Sequence, residues 1–133
     1  MSEEKKIKVV LLEPGKLART AEIGTSIEDL QNAVDGLIEP FYPFEEQVCI
    51  VCNDEGKING MLPNRSVKNK DGVMVDFIFG PAFICDCRGE SFDSLSDEQI
   101  DRYGKMFRYP EHLARLNGKL IGIPFNPQRE HER

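Results

Sequence analysis

Four short apolar runs, each stopped by turn-forming residues, constrain this chain most. They are Ile7–Leu12 before Pro14-Gly15, Val48–Cys52 before "NDEG", and Val73–Phe79 and Ala82–Cys87 on either side of Gly80-Pro81. Runs of this length, rich in Val, Ile and Phe, read as strands. Val48–Cys52 is apolar at every position and so predicts a central strand covered on both faces. Leu17–Ile23 alternates, with Leu17, Ala21 and Ile23 set against Thr20 and Glu22. That pattern suits an antiparallel strand with one wet face. "LIEPFYPF" carries two prolines and predicts an edge strand or extended segment. Ile58–Leu62 is expected to pair back briefly after the "NDEG" turn.

Two stretches carry helix signals. Thr25 and Glu28 have capping-box spacing, Ile27, Leu30 and Val34 share a helical face, and Gly36 is a stop. The second stretch, Ser96–Arg108, is the better specified. Ser96 and Gln99 form a capping box, and Leu95 staples onto Ile100. Glu98/Arg102 and Asp101/Lys105 are i,i+4 pairs, and acids lead while bases trail along the dipole. Ile100, Tyr103 and Phe107 line one face, and Pro110 ends the helix. A short helical turn is expected through Leu116, then a stop or hairpin at Asn117-Gly118, then a polar, disordered "NPQREHER". The fold class is therefore α+β: one small domain over residues 1–116, with a mostly antiparallel sheet of about five strands and two main helices. Residues 117–133 form a C-terminal extension.

At 133 residues the chain is long enough for a core without staples. Its net charge of -6, spread evenly, speaks against general nucleic-acid binding. No stretch has the length of a membrane span, and "MSEEKKIKVVLL" lacks the positive start of a secretion signal. The expected compartment is the cytoplasm, with the four cysteines reduced. Cys49 and Cys52 lie three apart within one strand run, so their side chains leave opposite faces of the sheet. Structural zinc from Cys49, Cys52, Cys85 and Cys87 is therefore not expected, and no cofactor is implied. The carboxylate pairs Glu45/Glu46 and Asp54/Glu55 read as solvated turn residues. His112 and His131 read as surface residues.

The stretches "IKVVLLEPGKLARTAEI", "VCNDEGKINGMLPNR" and "SLSDEQIDRYGKMFRYPE" resemble the family catalogued as domain of unknown function 3846, over about residues 6–111. The resemblance implies an accessory role in bacteria, mobile elements or phages. It brings no catalytic residues and no metal site.

Between two apolar runs lies "NGMLPNRSVKNKDG", residues 59–72, read as an open loop. Functional residues concentrate on loops. Arg65 offers a planar fork suited to carboxylate or phosphate. Asn59 and Asn64 add donors, and Lys57 and Lys68 add positive potential. The plainer reading is a turn-rich connection with Arg65 paired to an acid such as Asp76. The expected function is a non-enzymatic accessory protein that binds a protein partner or a small anionic ligand through residues 57–70. The alternative is an enzyme or nucleotide-binding protein acting on a phosphorylated small molecule, with Arg65 as the phosphate clamp. On the loop reading, Arg65 matters to binding and little to folding. "FYPF", Phe41–Phe44, is expected to pack into the core.

Overall fold

A computed structural model of the protein describes residues 5–130. Five strands form an antiparallel sheet in the order β2-β1-β7-β4-β3, comprising β1 (Lys6–Leu12), β2 (Arg19–Gly24), β3 (Ile38–Phe41), β4 (Val48–Asn53) and β7 (Ala82–Asp86). The interior strands are those whose sequence is apolar on both faces, because both faces are covered. On one face Ile7, Val9, Cys49, Val51, Phe83 and Cys85 pack against Leu30 and Val34 of helix α1 (Ile27–Val34). On the other, Val10, Leu12, Ile50 and Ile84 meet Tyr103 and Phe107, at and just past the end of helix α2 (Asp97–Met106), and Val67 and Ile78 of a separate hairpin. That hairpin is β5 (Pro63–Lys68) with β6 (Met74–Phe79). A second hairpin, β8 (Glu111–Leu116) with β9 (Lys119–Pro124), lies beside β5. A last turn of helix, α3, spans Pro127–Glu130. The α+β class thus holds, with the edge strand at "IEPF" as its prolines require.

α2 forms as its local signals dictate. Ser96 Oγ accepts from the Gln99 N–H and Gln99 Oε1 accepts from the Ser96 N–H. Arg102–Glu98 and Lys105–Asp101 pair at 3.1 Å each. Burying the Tyr103 and Phe107 rings contributes roughly 1.5–3 kcal/mol apiece.

Several expectations are corrected. The cap of α1 is Ser26, whose Oγ accepts from the Asp29 N–H at 3.0 Å, while Thr25 Oγ1 donates to the Lys5 carbonyl. Ile27, the first helical residue, is 63% exposed and off the buried face. Ile58–Leu62 is turn and irregular chain and forms no strand. Residues 111–116 are strand rather than helix. Asn117 (φ 52) and Gly118 (φ 80) supply the two positive φ angles of a tight hairpin turn. This hairpin straddles position 116, so the expected boundary there has no structural counterpart. Residues 127–130 are helical where disorder was expected. His131 lies outside the described residues.

Candidate functional site

The largest correction concerns the polar stretch 59–72. Six of its fourteen residues form β5, and the side chains of Asn64 and Arg65 face inward. Asn64 and Arg65 are both 0% exposed. Asn64 Nδ2 donates to the carbonyls of Leu12 (3.0 Å) and Gly80 (2.8 Å). Arg65 engages every donor it has. Nε donates to the Phe107 carbonyl at 2.6 Å. Nη1 donates to the Glu13 carbonyl at 3.2 Å and to Asn64 Oδ1 at 2.5 Å. Nη2 donates to the carbonyls of Lys16 at 2.6 Å and Arg108 at 3.4 Å. A guanidinium has five N–H groups, and five acceptors surround this one.

The physical reason is local. The last carbonyls of a helix have no partner within it, and the β1–β2 turn leaves its own carbonyls pointing inward. Arg65 satisfies both sets and ties β5, the β1–β2 turn and the end of α2 together. Burial pushes its pKa down to about 10, against the pull of Glu111 and Glu13. It stays charged at neutral pH. Asp76, the anticipated partner of Arg65, pairs instead with Lys57 Nζ at 2.8 Å. So Asn64 and Arg65 present nothing to a ligand in this conformation.

The other three candidate residues are at the surface but are not gathered together. Lys57 lines a cavity of about 350 Å³ with Phe41, Cys52 and Asp76. Asn59 is exposed on the preceding turns and lines neither this cavity nor the larger cleft beside Lys68. Lys68, at the outer end of β5, lines a larger cleft of about 800 Å³. Among the described residues it makes no ion pair, whereas its neighbour Lys70 reaches Glu45 at 3.4 Å.

This larger cleft runs between α2, residues 43–46 and the tip of the β5–β6 hairpin. Phe44, Met106 and Phe107 form an apolar floor. Phe44 lies 4.7 Å from the Tyr103 ring and 6.2 Å from that of Phe107, centroid to centroid. Met106 is 57% exposed although it flanks this aromatic cluster. The hairpin tip is held in shape by Asn69, whose Oδ1 accepts from the N–H groups of Asp71 (2.9 Å) and Val73 (3.0 Å). Gly72 takes φ 80 there.

One wall carries a polar cluster that sequence reasoning missed. Glu46 accepts from Arg102 Nη1 at 2.7 Å, from Gln99 Nε2 at 3.3 Å and from the Tyr103 hydroxyl. It therefore fastens residues 43–46 to α2 rather than standing solvated. The Tyr103 hydroxyl, then Gln99 and Arg102, hold the Glu46 carboxyl below its usual range, against the opposing effect of burial. Burial and the same bond to Glu46 push the Tyr103 phenol upward. Neither group is poised to exchange a proton near neutral pH. The only advance signal for the cluster was the "FYPF" segment, which brings Phe44 and Glu46 together within three residues.

The thiols divide between the faces of the sheet. Cys49, Cys85 and Cys87 pack on the α1 side and Cys52 on the α2 side. His112 stacks on Phe125, with centroids 3.9 Å apart. Among the described residues, no three His, Cys, Asp or Glu side chains are arranged to hold a metal ion. No helix among them is long and apolar enough to cross a membrane.

Fold and site together describe a small α+β domain with an amphipathic surface cleft. The chain matches the family described as Domain of unknown function (DUF3846) over residues 7–108, and it belongs to that family. Neither curated proteins nor solved structures yielded a match.

Proposed function

We propose that this is a non-enzymatic, cytoplasmic accessory protein of a bacterium, mobile element or phage, and that it binds an anionic ligand with an apolar body in the 800 Å³ cleft. The observation that carries this reading is Lys68, an exposed cation without a partner among the described residues, standing beside an apolar floor on which Met106 is left 57% exposed. The cleft lining holds three cations, Lys68, Lys70 and Arg102, against two carboxylates, Glu45 and Glu46. The chain as a whole has a net charge of -6, so the cleft is cationic relative to its surroundings. Its volume falls in the roughly 300–1,000 Å³ range of small-molecule sites. A carboxylate or phosphate on Lys68 gains a charge-assisted bond, while Phe44 and Met106 take the apolar portion. A binding role is favoured over catalysis because the wall's acid and phenol are displaced from neutrality in opposite directions and bonded to each other.

The test is an NMR titration of the isotope-labelled protein with adenosine monophosphate and, separately, with an aromatic carboxylate such as indole-3-acetate. The expected result is amide shifts confined to residues 68–72 and 103–107, abolished in Lys68→Glu. Shifts centred elsewhere, or shifts that survive Lys68→Glu, contradict the reading.

A further inference from the structure

On the α1 side of the sheet, Cys49 and Cys85 stand directly opposite each other across β4 and β7. Opposed residues in an antiparallel pair have Cα atoms about 4.5–5.5 Å apart, which lies within the roughly 4.4–6.8 Å span of disulfides. Register alone therefore meets the backbone requirement. The two sulfurs already lie in contact at 3.7 Å, so closing the bond to about 2.05 Å asks for a short side-chain movement. Both thiols are buried and unlinked. Cys87, two residues beyond Cys85 and on the same face, is only partly buried and stands nearer the surface. The pair sits one register step from the end of the β4–β7 ladder, where Val48 opposes Asp86. Strand ends open more readily than strand centres, so a water-sized oxidant has a short route to the sulfurs.

We propose that Cys49 and Cys85 form an oxidisable dithiol, a modification site closed by a small two-electron oxidant such as hydrogen peroxide. Cys49 is the attacking sulfur. Either of the two contacting sulfurs can donate to the other; the bond with Cys85 holds the Cys49 thiol below the usual range against the opposing effect of burial, and the same bond raises that of Cys85. The thiolate of Cys49, its proton released to solvent, attacks one peroxide oxygen, the O–O bond breaks to leave Cys49 as the sulfenic acid, and the departing hydroxide takes up that released proton as water. Cys85 then attacks the Cys49 sulfur, the S–O bond breaks, and the departing hydroxide takes up the Cys85 proton as a second water. Two thiols are oxidised by two electrons in all, and one peroxide is reduced to two waters. Cys52 takes no part. It lies on the opposite face, and burial pushes its thiol up to about 11.

The chemistry also sets a direction for stability. The new bond closes a loop spanning 36 residue positions between neighbouring central strands, and such closure stabilises through the unfolded chain. The oxidised form is expected to melt above the reduced form. Dithiothreitol is expected to reverse the change.

The experiment treats the folded, reduced protein with hydrogen peroxide, blocks the remaining thiols with iodoacetamide, and reads intact mass followed by peptide mapping. The expected result is a loss of two hydrogens, two blocked cysteines instead of four, and one cross-linked peptide joining Cys49 to Cys85. Cys52→Ser and Cys87→Ser are expected to keep the cross-link, and Cys85→Ala to lose it with Cys49 recovered as a higher oxide. Mapping of the native chain needs no variant, so a misfolded Cys85→Ala protein leaves the test intact. A native protein that keeps four blockable thiols, or a cross-link through Cys52, overturns the proposal.

Discussion

Arg65 and Lys68 lie three residues apart on β5, and both read from sequence as loop cations facing solvent. Arg65 is sealed inside with all its donors engaged, while Lys68 stands at the mouth of a cleft with no ion pair among the described residues. The difference teaches that polarity along a strand does not report exposure. What decides is where the fold leaves carbonyls without partners. At the inner end of β5 a helix terminus and a turn converge: among the described residues the Phe107 and Lys16 carbonyls have no backbone donor, those of Glu13 and Arg108 take a second bond beside the Lys16 and Ala18 N–H groups, and the guanidinium serves all four. At the outer end no such acceptors converge, so the lysine stays in water. One end of the strand holds the fold together, and the other is available for recognition.

The sharpest break of that comparison is Arg65→Ala. It strips hydrogen bonds from four buried or part-buried carbonyls at once. Urea unfolding is expected to show a loss of about 3–5 kcal/mol. This reverses the loop reading of the sequence, on which the same variant leaves the melting temperature nearly unchanged.

Glu46 gives an effect of middle size that depends on pH. Its folded-state pKa is depressed below the ordinary value of 4.5, first by the Tyr103 hydroxyl. A depressed carboxylate contributes stability that is present above its unfolded pKa and is lost as pH falls through the folded one. Glu46→Gln is therefore expected to destabilise by about 1–2 kcal/mol at pH 7. It should also flatten the decline in stability below about pH 4.5. An acid limb as steep as the native one refutes the assignment. Tyr103 carries the mirror-image expectation. Its raised pKa makes the same bond a contribution lost at alkaline pH, above the ordinary phenol range.

The smallest effect belongs to Lys68. Lys68→Ala is expected to change unfolding free energy by no more than about 0.5 kcal/mol, as for a surface residue outside any network. A larger loss means that the outer end of β5 is structural as well, and the contrast along the strand collapses.

What could be read from the chain beforehand follows the range of the interactions. α2 was legible residue by residue because its box, its ion pairs and its apolar face all act within four positions. β1, β4 and β7 were legible because the part of a strand buried on both faces must be apolar, as at Val9–Leu12, Val48–Val51 and Ala82–Cys85. α1 was displaced by one residue because Thr25 and Ser26 are both able caps, and only the bond from the Asp29 N–H to Ser26 decides between them. β8 and β9 were missed although Asn117-Gly118 signalled a hairpin. Their strands carry half-exposed, mixed sequences, and their place beside β5 depends on Glu111, whose carboxylate accepts from Ser66 Oγ at 2.7 Å, 45 residues away. β5 was the least legible. Nothing near "PNRSV" tells which carbonyls, about 40 to 50 residues off along the chain, will need its donors. The cleft was hidden for the same reason, since Glu46 and Tyr103 lie 57 residues apart and only the tertiary fold brings them together.

Replacing Arg65 with lysine tests the central claim most directly. Lysine keeps the charge and most of the length but offers three donors from one point in place of five in a fixed fork. If Arg65 serves the fold by satisfying dispersed carbonyls, equilibrium unfolding of Arg65→Lys in urea will show a loss of about 1.5–3 kcal/mol beside a native-like Lys68→Ala control. An Arg65→Lys protein within about 0.5 kcal/mol of the native one contradicts the account, because positive charge alone would then suffice at that position.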